Sequence, residues 1–232
     1  MKAAGRPLSI IVPVLDEGAT LPGFLARLAR WSNIAEIIVV DGGSSDRSRE
    51  LARPLCDRLV ASERGRARQM NAGAAAASGE FLLFLHCDTE LQIAPEAFSE
   101  LLQADPGWGF FPVRLDGRAL AFRVIERAIS LRSRLTRVAT GDQAIFVSSR
   151  VWMACGGYRD IPLMEDVELS KRLRRISRPM VCRDPVVTSS RRWEKHGIVR
   201  TVGLMWYLRL RFWMGEDPAE LGKAYHGRGA SD

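Results

Sequence analysis

LSIIVPVLDEGATLPGFLARLARWSNIAEIIVVDGG, residues 8–43, carries two hydrophobic periods in succession. Residues 8–15 are a nearly continuous apolar run, the pattern of a strand buried on both faces. Thr20 then stands where it can cap a helix in which Leu21, Phe24, Leu25 and Leu28 recur at helical spacing. Residues 34–40 are a second buried strand, stopped by Asp41, Gly42 and Gly43, with Ser44 or Ser45 placed to cap the helix after it. Strand, helix, strand, helix in this order implies a parallel sheet, because parallel neighbours need a crossover between them.

The same unit recurs downstream, as a helix over residues 65–77, a stop at Gly79 and a strand over 80–85. Beyond Asp88 the pattern loosens. Residues 108–114 read as a strand and 119–137 as an amphipathic helix with Val124, Ile125, Ala128, Leu131 and Leu135 on one side. A short strand at 144–147, a helix at 165–176, strand pieces at 180–182 and 186–189, and a last helix at 198–214 complete the reading. The expected fold is α/β, a mostly parallel twisted sheet flanked by helices. No internal repeat or low-complexity linker divides the chain, so residues 1–232 read as one domain.

Composition narrows the classes. A chain of 232 residues with 47% hydrophobic content can bury a sizeable core alone. Cys56, Cys87, Cys155 and Cys182 show no CxxC spacing, which speaks against a disulfide framework or a zinc knuckle. The opening MKAAGRPLSIIVPVLDEG, a short apolar run broken by Pro13 and followed by acids, is expected to be neither a leader nor a span, and the most apolar stretch, residues 202–214, is interrupted by Arg209 and Arg211. A cytoplasmic protein is expected. The net charge is +7, and residues 171–213 hold twelve Lys or Arg against Asp184 and Glu194. That basic third is either a solvated face or a partner surface for nucleic acid, acidic lipid or a diphosphate.

The chemistry-bearing residues sit where strands end. Asp41 closes VVD, Asp88 closes FLHCD, and Glu165 and Asp166 open a helix in LMEDVEL. Open α/β sheets keep their ligands at the carboxyl edge of the strands, so these acids are expected to surround one hollow.

Five motifs in order, SIIVPVLDE, VVDGGSSD, GRARQMNAGAAAASGEFLLFLHCDT, GDQAIFV and MEDVELSKRL, resemble the family 2 glycosyltransferases of GT-A fold over roughly residues 8–195. The resemblance implies a nucleotide-sugar half over about 8–115, an acceptor half over about 116–197, and a C-terminal helix and tail over 198–232. It implies inverting, non-processive transfer of one sugar from a nucleotide-sugar donor, a UDP-sugar foremost, to a hydroxyl acceptor, with Mg²⁺ or Mn²⁺.

The roles it implies run along the chain. Pro13, Val14 and Glu17 would hold base and ribose, and Asp41, with Gly43 and Ser44, would accept from a uracil N3–H. Arg66, Arg68 and Asn71, opening a helix, would touch nucleotide and diphosphate. Asp88 would bind the metal; the family's DxD triplet is here His86, Cys87, Asp88, which leaves His86 as ligand, base contact or strand end. Gly141, Asp142 and Gln143 would form the acceptor loop. Asp166 would be the general base and Glu165 a positioning contact. Arg192 would clamp the diphosphate and Trp193 face the acceptor, although Ser189 replaces the glutamine of the processive QxxRW element. His196 is either an added metal ligand or structural.

Other readings stay open beside this one. A sugar-phosphate nucleotidyltransferase should carry a Gly-rich GxGxRxxP-like loop after the first strand, and PVLDEGAT is not that. A non-catalytic nucleotide- or nucleic-acid-binding module would use the basic third, although no nucleic-acid partner is expected from the motifs. Aromatics and arginines on the last helix suit core packing, a homo-oligomer contact or the inner face of an anionic membrane.

Overall fold

The computed structural model describes residues 6–191, 194 and 197–227. Its strands are β1 (Leu8–Val14), β2 (Ala35–Asp41), β3 (Arg58–Ala61), β4 (Phe81–Phe84), β5 (Thr89–Leu91), β6 (Trp108–Phe110), β7 (Val113–Leu115), β8 (Phe146–Ser148), β9 (Met180–Val181) and β10 (Val186–Thr188). The helices are α1 (Leu21–Leu28), α2 (Ser48–Ala52), α3 (Arg66–Ala76), α4 (Pro95–Leu102), α5 (Leu120–Thr136), α6 (Ser149–Cys155), α7 (Glu165–Ile176), α8 (Ile198–Trp213) and α9 (Pro218–Gly227).

Seven strands form one sheet in the order β3-β2-β1-β4-β8-β6-β9. β1 pairs in parallel with both β2 and β4, and only β8 runs against its neighbours. Side-chain alternation divides the core between the two faces. Ile10 and Val12 pack with Phe24 and Leu25 of α1, whereas Ile11 packs with Val40, Ala67 and Met70 under α3. Helix α3 lies close to the sheet because residue 73 is glycine: a Cβ there would stand 2.4 Å from Ile11 Cγ2. The mixed α/β sheet with helices on both faces is the expected architecture.

Several local expectations are corrected. Residues 108–114 are two strands, not one, because Pro112 lacks an N–H and breaks the run; β6 stays in the large sheet while β7 joins β5 and β10 in a small one. Thr20 stands at the N-cap position of α1 as expected, but its side chain makes no cap bond; its Oγ1 donates to Glu17 Oε2 at 2.9 Å. Ser44 and Ser45 bond to Asp16 instead of a helix end, and Asp46 receives the N–H of Ser48 at the start of α2. Helix α5 has the expected stripe, but Val124, Leu131 and Leu135 face outward. β3, β5, α4, α6 and α9 stand outside the expected elements.

Candidate active site

Two adjoining hollows, of about 610 and about 660 Å³, open at the carboxyl ends of β1 and β4 and at the start of α7. Glu17, Arg66, Asp88, Asp142 and Glu165 line both. Pro13, Val14, Gly65 and Gln69 belong to the second hollow alone, and Gly141, Asp166, Thr188 and Arg209 to the first.

The chain brings three distant segments together at one point. Met164 adopts a left-handed conformation, φ 66°, immediately before α7, and so sets the direction of Glu165 and Asp166. Positive φ in a bulky residue is costly and is kept where the surroundings impose it. Asp166 Oδ2 then accepts the N–H of Gly141 at 2.5 Å, while its Oδ1 takes the N–H of Val167. A Cβ on residue 141 would lie 2.7 Å from His86 Nε2, so any side chain there would push the imidazole aside where the loop passes between the end of β4 and the acid.

Burial then sorts the charges. Glu165 is buried and beside Asp166, and these two effects push its carboxyl up to about 7. His86 is pushed down to about 4, first by desolvation and then by the Arg66 charge, so its imidazole is neutral near pH 7. Burial and the nearby Asp166 and Glu165 charges raise the Tyr158 hydroxyl well above its ordinary value. Desolvation lowers Arg209, on the wall of the first hollow, and desolvation helped by the Arg209 charge brings Arg132 down to about 10. The Nε–H groups of both arginines are buried without a hydrogen-bond partner among the described residues. Arg209, on the wall of the first hollow with Asp142 and Asp166, makes that hollow receptive to polar or anionic groups.

Glu165→Gln should reveal the cost of the buried carboxylate. A carboxyl raised in the folded state makes its stabilising contribution below its unfolded value of 4.5 and loses it as pH rises through about 7. The neutral variant should therefore be more stable than the parent by on the order of 3 kcal/mol at pH 8, the difference closing towards pH 4.5. His86, lowered in the fold, acts with the opposite sign as pH falls from 6.5 towards 4. Urea denaturation of both proteins across this range separates the two; a difference independent of pH contradicts the assignment to Glu165.

The expected site residues divide clearly. Pro13, Val14, Glu17, Arg66, Arg68, His86, Asp88, Gly141, Asp142, Glu165 and Asp166 line the hollows. Arg68 is engaged by Asp160 at 2.8 Å and by Glu63. Asp41 does not join them. It is 2% exposed, accepts the N–H groups of Gly43 and Ser44, and lies 3.7 Å from Arg49, so it shapes the loop after β2. Gly43 and Ser44 line neither hollow. Asn71 is occupied by both backbone groups of Tyr158 and pins α3 to that loop. Gln143 is fully buried, closes a capping box with Thr140 and donates to Phe111 O, and is corrected from acceptor contact to framework. Arg192, Trp193 and His196 lie outside the described residues. Arg209 lines the first hollow and is not among the expected site residues. The available signal was an arginine inside an otherwise apolar helical run, a pattern that requires a polar destination.

A divalent cation fits this donor set in one way. Asp88 offers an exposed carboxylate, and among the described residues no three His, Cys, Asp or Glu converge as a protein cage. A hard cation that takes its other oxygens from a diphosphate and water needs no such cage. Cys87 is a poor ligand for it: burial, first, and the Glu17 charge raise its thiol far above the ordinary value and keep it protonated.

Comparison with known proteins agrees with this geometry. The Glycosyl transferase family 2 model matches residues 9–147, more than half of the chain. A PGL/p-HBAD biosynthesis glycosyltransferase of Mycobacterium bovis (strain BCG / Pasteur 1173P2) is 37% identical over 96 residues, 38% of this chain and 38% of that protein. The alignment thus spans well under half of that relative's length. A mannosyltransferase from Pyrobaculum calidifontis in complex with GDP-Man and Mn²⁺ superposes with TM-score 0.61 at 17% identity, over 79% of this chain and 56% of that one. Glucosyl-3-phosphoglycerate synthase from Mycobacterium tuberculosis, in complex with Mn²⁺, UDP and glucosyl-3-phosphoglycerate, gives TM-score 0.54 at 20% identity, over 80% and 71%. Both share the fold. With its motifs in order on a sheet of GT-A type, the chain belongs to glycosyl transferase family 2.

Proposed function

We propose that this protein transfers one sugar from a nucleotide-sugar donor, a UDP-sugar foremost, to a hydroxyl acceptor, with inversion and with Mg²⁺ or Mn²⁺ on the donor diphosphate. The observation that carries this reading is the wall common to the two hollows, where Arg66, Asp88 and Glu165 lie between a nucleotide-sized recess and the recess that holds Asp166. The donor occupies the second hollow, with Pro13, Val14 and Glu17 around base and ribose. The acceptor enters the first, where Asp142 binds its hydroxyls.

Transfer needs a base on one side of the anomeric carbon and charge neutralisation on the other. Asp166, oriented by the Gly141 N–H, removes the acceptor proton. Arg66 stands by the leaving diphosphate. A cation held by Asp88 would add neutralisation of the leaving group. Neutral His86 adds no positive charge beside Asp166, and Glu165 positions the acceptor or the donor sugar. The solved neighbours in complex with Mn²⁺ and either GDP-Man or UDP support a metal-assisted nucleotide site, without naming this chain's base.

A donor panel tests the proposal. Thermal unfolding with UDP-, GDP- and TDP-sugars, each with and without Mn²⁺, should show one nucleotide raising the midpoint only when metal is present, by the stabilisation that binding to the folded state alone provides. Absence of stabilisation by every nucleotide sugar in either condition would sink the reading.

A further inference from the structure

Nine of the twelve large hydrophobic side chains exposed among the described residues lie on α5, on α8 or on Met214, which ends α8. This concentration asks for an occupant, since scattered exposed apolar residues are ordinary but contiguous ones are not. On α5, Leu120, Val124, Leu131 and Leu135 fall within a narrow arc at helical spacing, and Leu120 and Leu135 are 84% and 75% exposed. On α8, Trp206, Tyr207, Leu210 and Trp213 form the corresponding stripe, with the two tryptophans 68% and 76% exposed.

Each helix has its own inner face. Leu208 of α8 is fully buried against Val138, Leu163, Val167 and Leu221, and Thr201, Met205 and Arg209 line the first hollow. Phe122 and Ser133 of α5 are buried, and Glu126 accepts the Leu115 N–H. The outward stripes are therefore surplus to the core. Arg132 of α5 and Arg209 of α8 each bury an Nε–H at the side of its helix's stripe.

Charge selects the occupant. Glu126 is the single acid of α5 and is turned inward to Leu115 and Arg123; α8 contains no acid. Arg127, Arg134 and Arg200 are exposed beside the stripes. Two copies facing each other would set arginine against arginine, whereas acidic head groups complement them, and Trp and Tyr suit the boundary between head groups and acyl chains. We infer that the outward stripes of α5 and α8 are membrane-docking surfaces for an anionic bilayer, with the acceptor side of the first hollow on the reverse of α8. The inference concerns a surface, so its test needs no turnover and stands or falls apart from sugar transfer.

The full chain should sediment with vesicles containing phosphatidylglycerol, bind pure phosphatidylcholine vesicles weakly, and release as salt rises. Trp206→Ser with Trp213→Ser should lower partitioning by roughly 100-fold, from the loss of two large buried apolar groups, and Leu131→Ser with Leu135→Ser by roughly 10-fold or more. Quenching of tryptophan fluorescence by brominated lipid in the unaltered chain reads the same contact without any substitution. The inference is overturned by absence of binding to anionic vesicles at low salt, by unchanged binding of the α5 variant, or by light scattering that shows a dimer dissolved by the tryptophan variant.

Discussion

Asp166→Asn should lower turnover by about 10²- to 10⁴-fold, the usual contribution of a positioned general base, while leaving nucleotide affinity within about twofold. The amide has the size of the carboxylate and can still accept one of the two N–H groups, from Gly141 or Val167, that now orient the acid. What it loses is the capacity to take a proton. Single-turnover rates with the donor found by the panel, together with calorimetric titration of the nucleotide, separate chemistry from binding. A variant with full turnover would remove Asp166 from the base role; one that loses nucleotide binding in parallel would make it a framework residue of the loop at Gly141. A purely nucleotide-binding module would show no functional loss at all.

Asp88→Ala should act on the other half of the reaction. Where Asp88 provides the protein's carboxylate to the cation, its removal should raise the donor dissociation constant in Mn²⁺ by about 100-fold or more, equivalent to about 2.7 kcal/mol of lost ligand stabilisation. The variant's thermal midpoint with nucleotide should no longer depend on metal. Cys87→Ala is the matched control one residue away: its protonated, half-buried thiol is outside the proposed coordination, and metal dependence should persist. The same metal dependence in Asp88→Ala as in the parent would require another ligand.

Local rules made much of this fold legible. The apolar runs of β1 and β2 and the 3.6-residue repeat of α1 are short-range patterns, and α7 begins at Glu165 and ends at Ile176 as its acids and periodicity suggest. The elements missed are those for which local pattern is weak. β3 is a four-residue, half-exposed edge strand, and the pairing of β7 with β10 in a second sheet joins residues more than 70 positions apart. Helix α5 shows the limit most plainly. Its apolar stripe is correct in spacing, yet periodicity states only that a face exists and not what covers it, and here the stripe faces outward.

The site divides along the same line. Which acids sit at strand ends, and the order of motifs that marks family 2, follow from residue identity alone, because strand termination and family motifs are properties of contiguous segments. Only the folded chain decides which of those acids share a hollow. Asp88, Glu165 and Asp166 meet there, while Asp41, equally acidic and equally at a strand end, turns its carboxylate to Gly43 and Ser44. The protonation of Glu165 and His86 and the placing of Arg132 and Arg209 beside the acids are likewise decided in three dimensions. Burial and charge–charge energies depend on distances between residues far apart in the chain, and no local pattern encodes them.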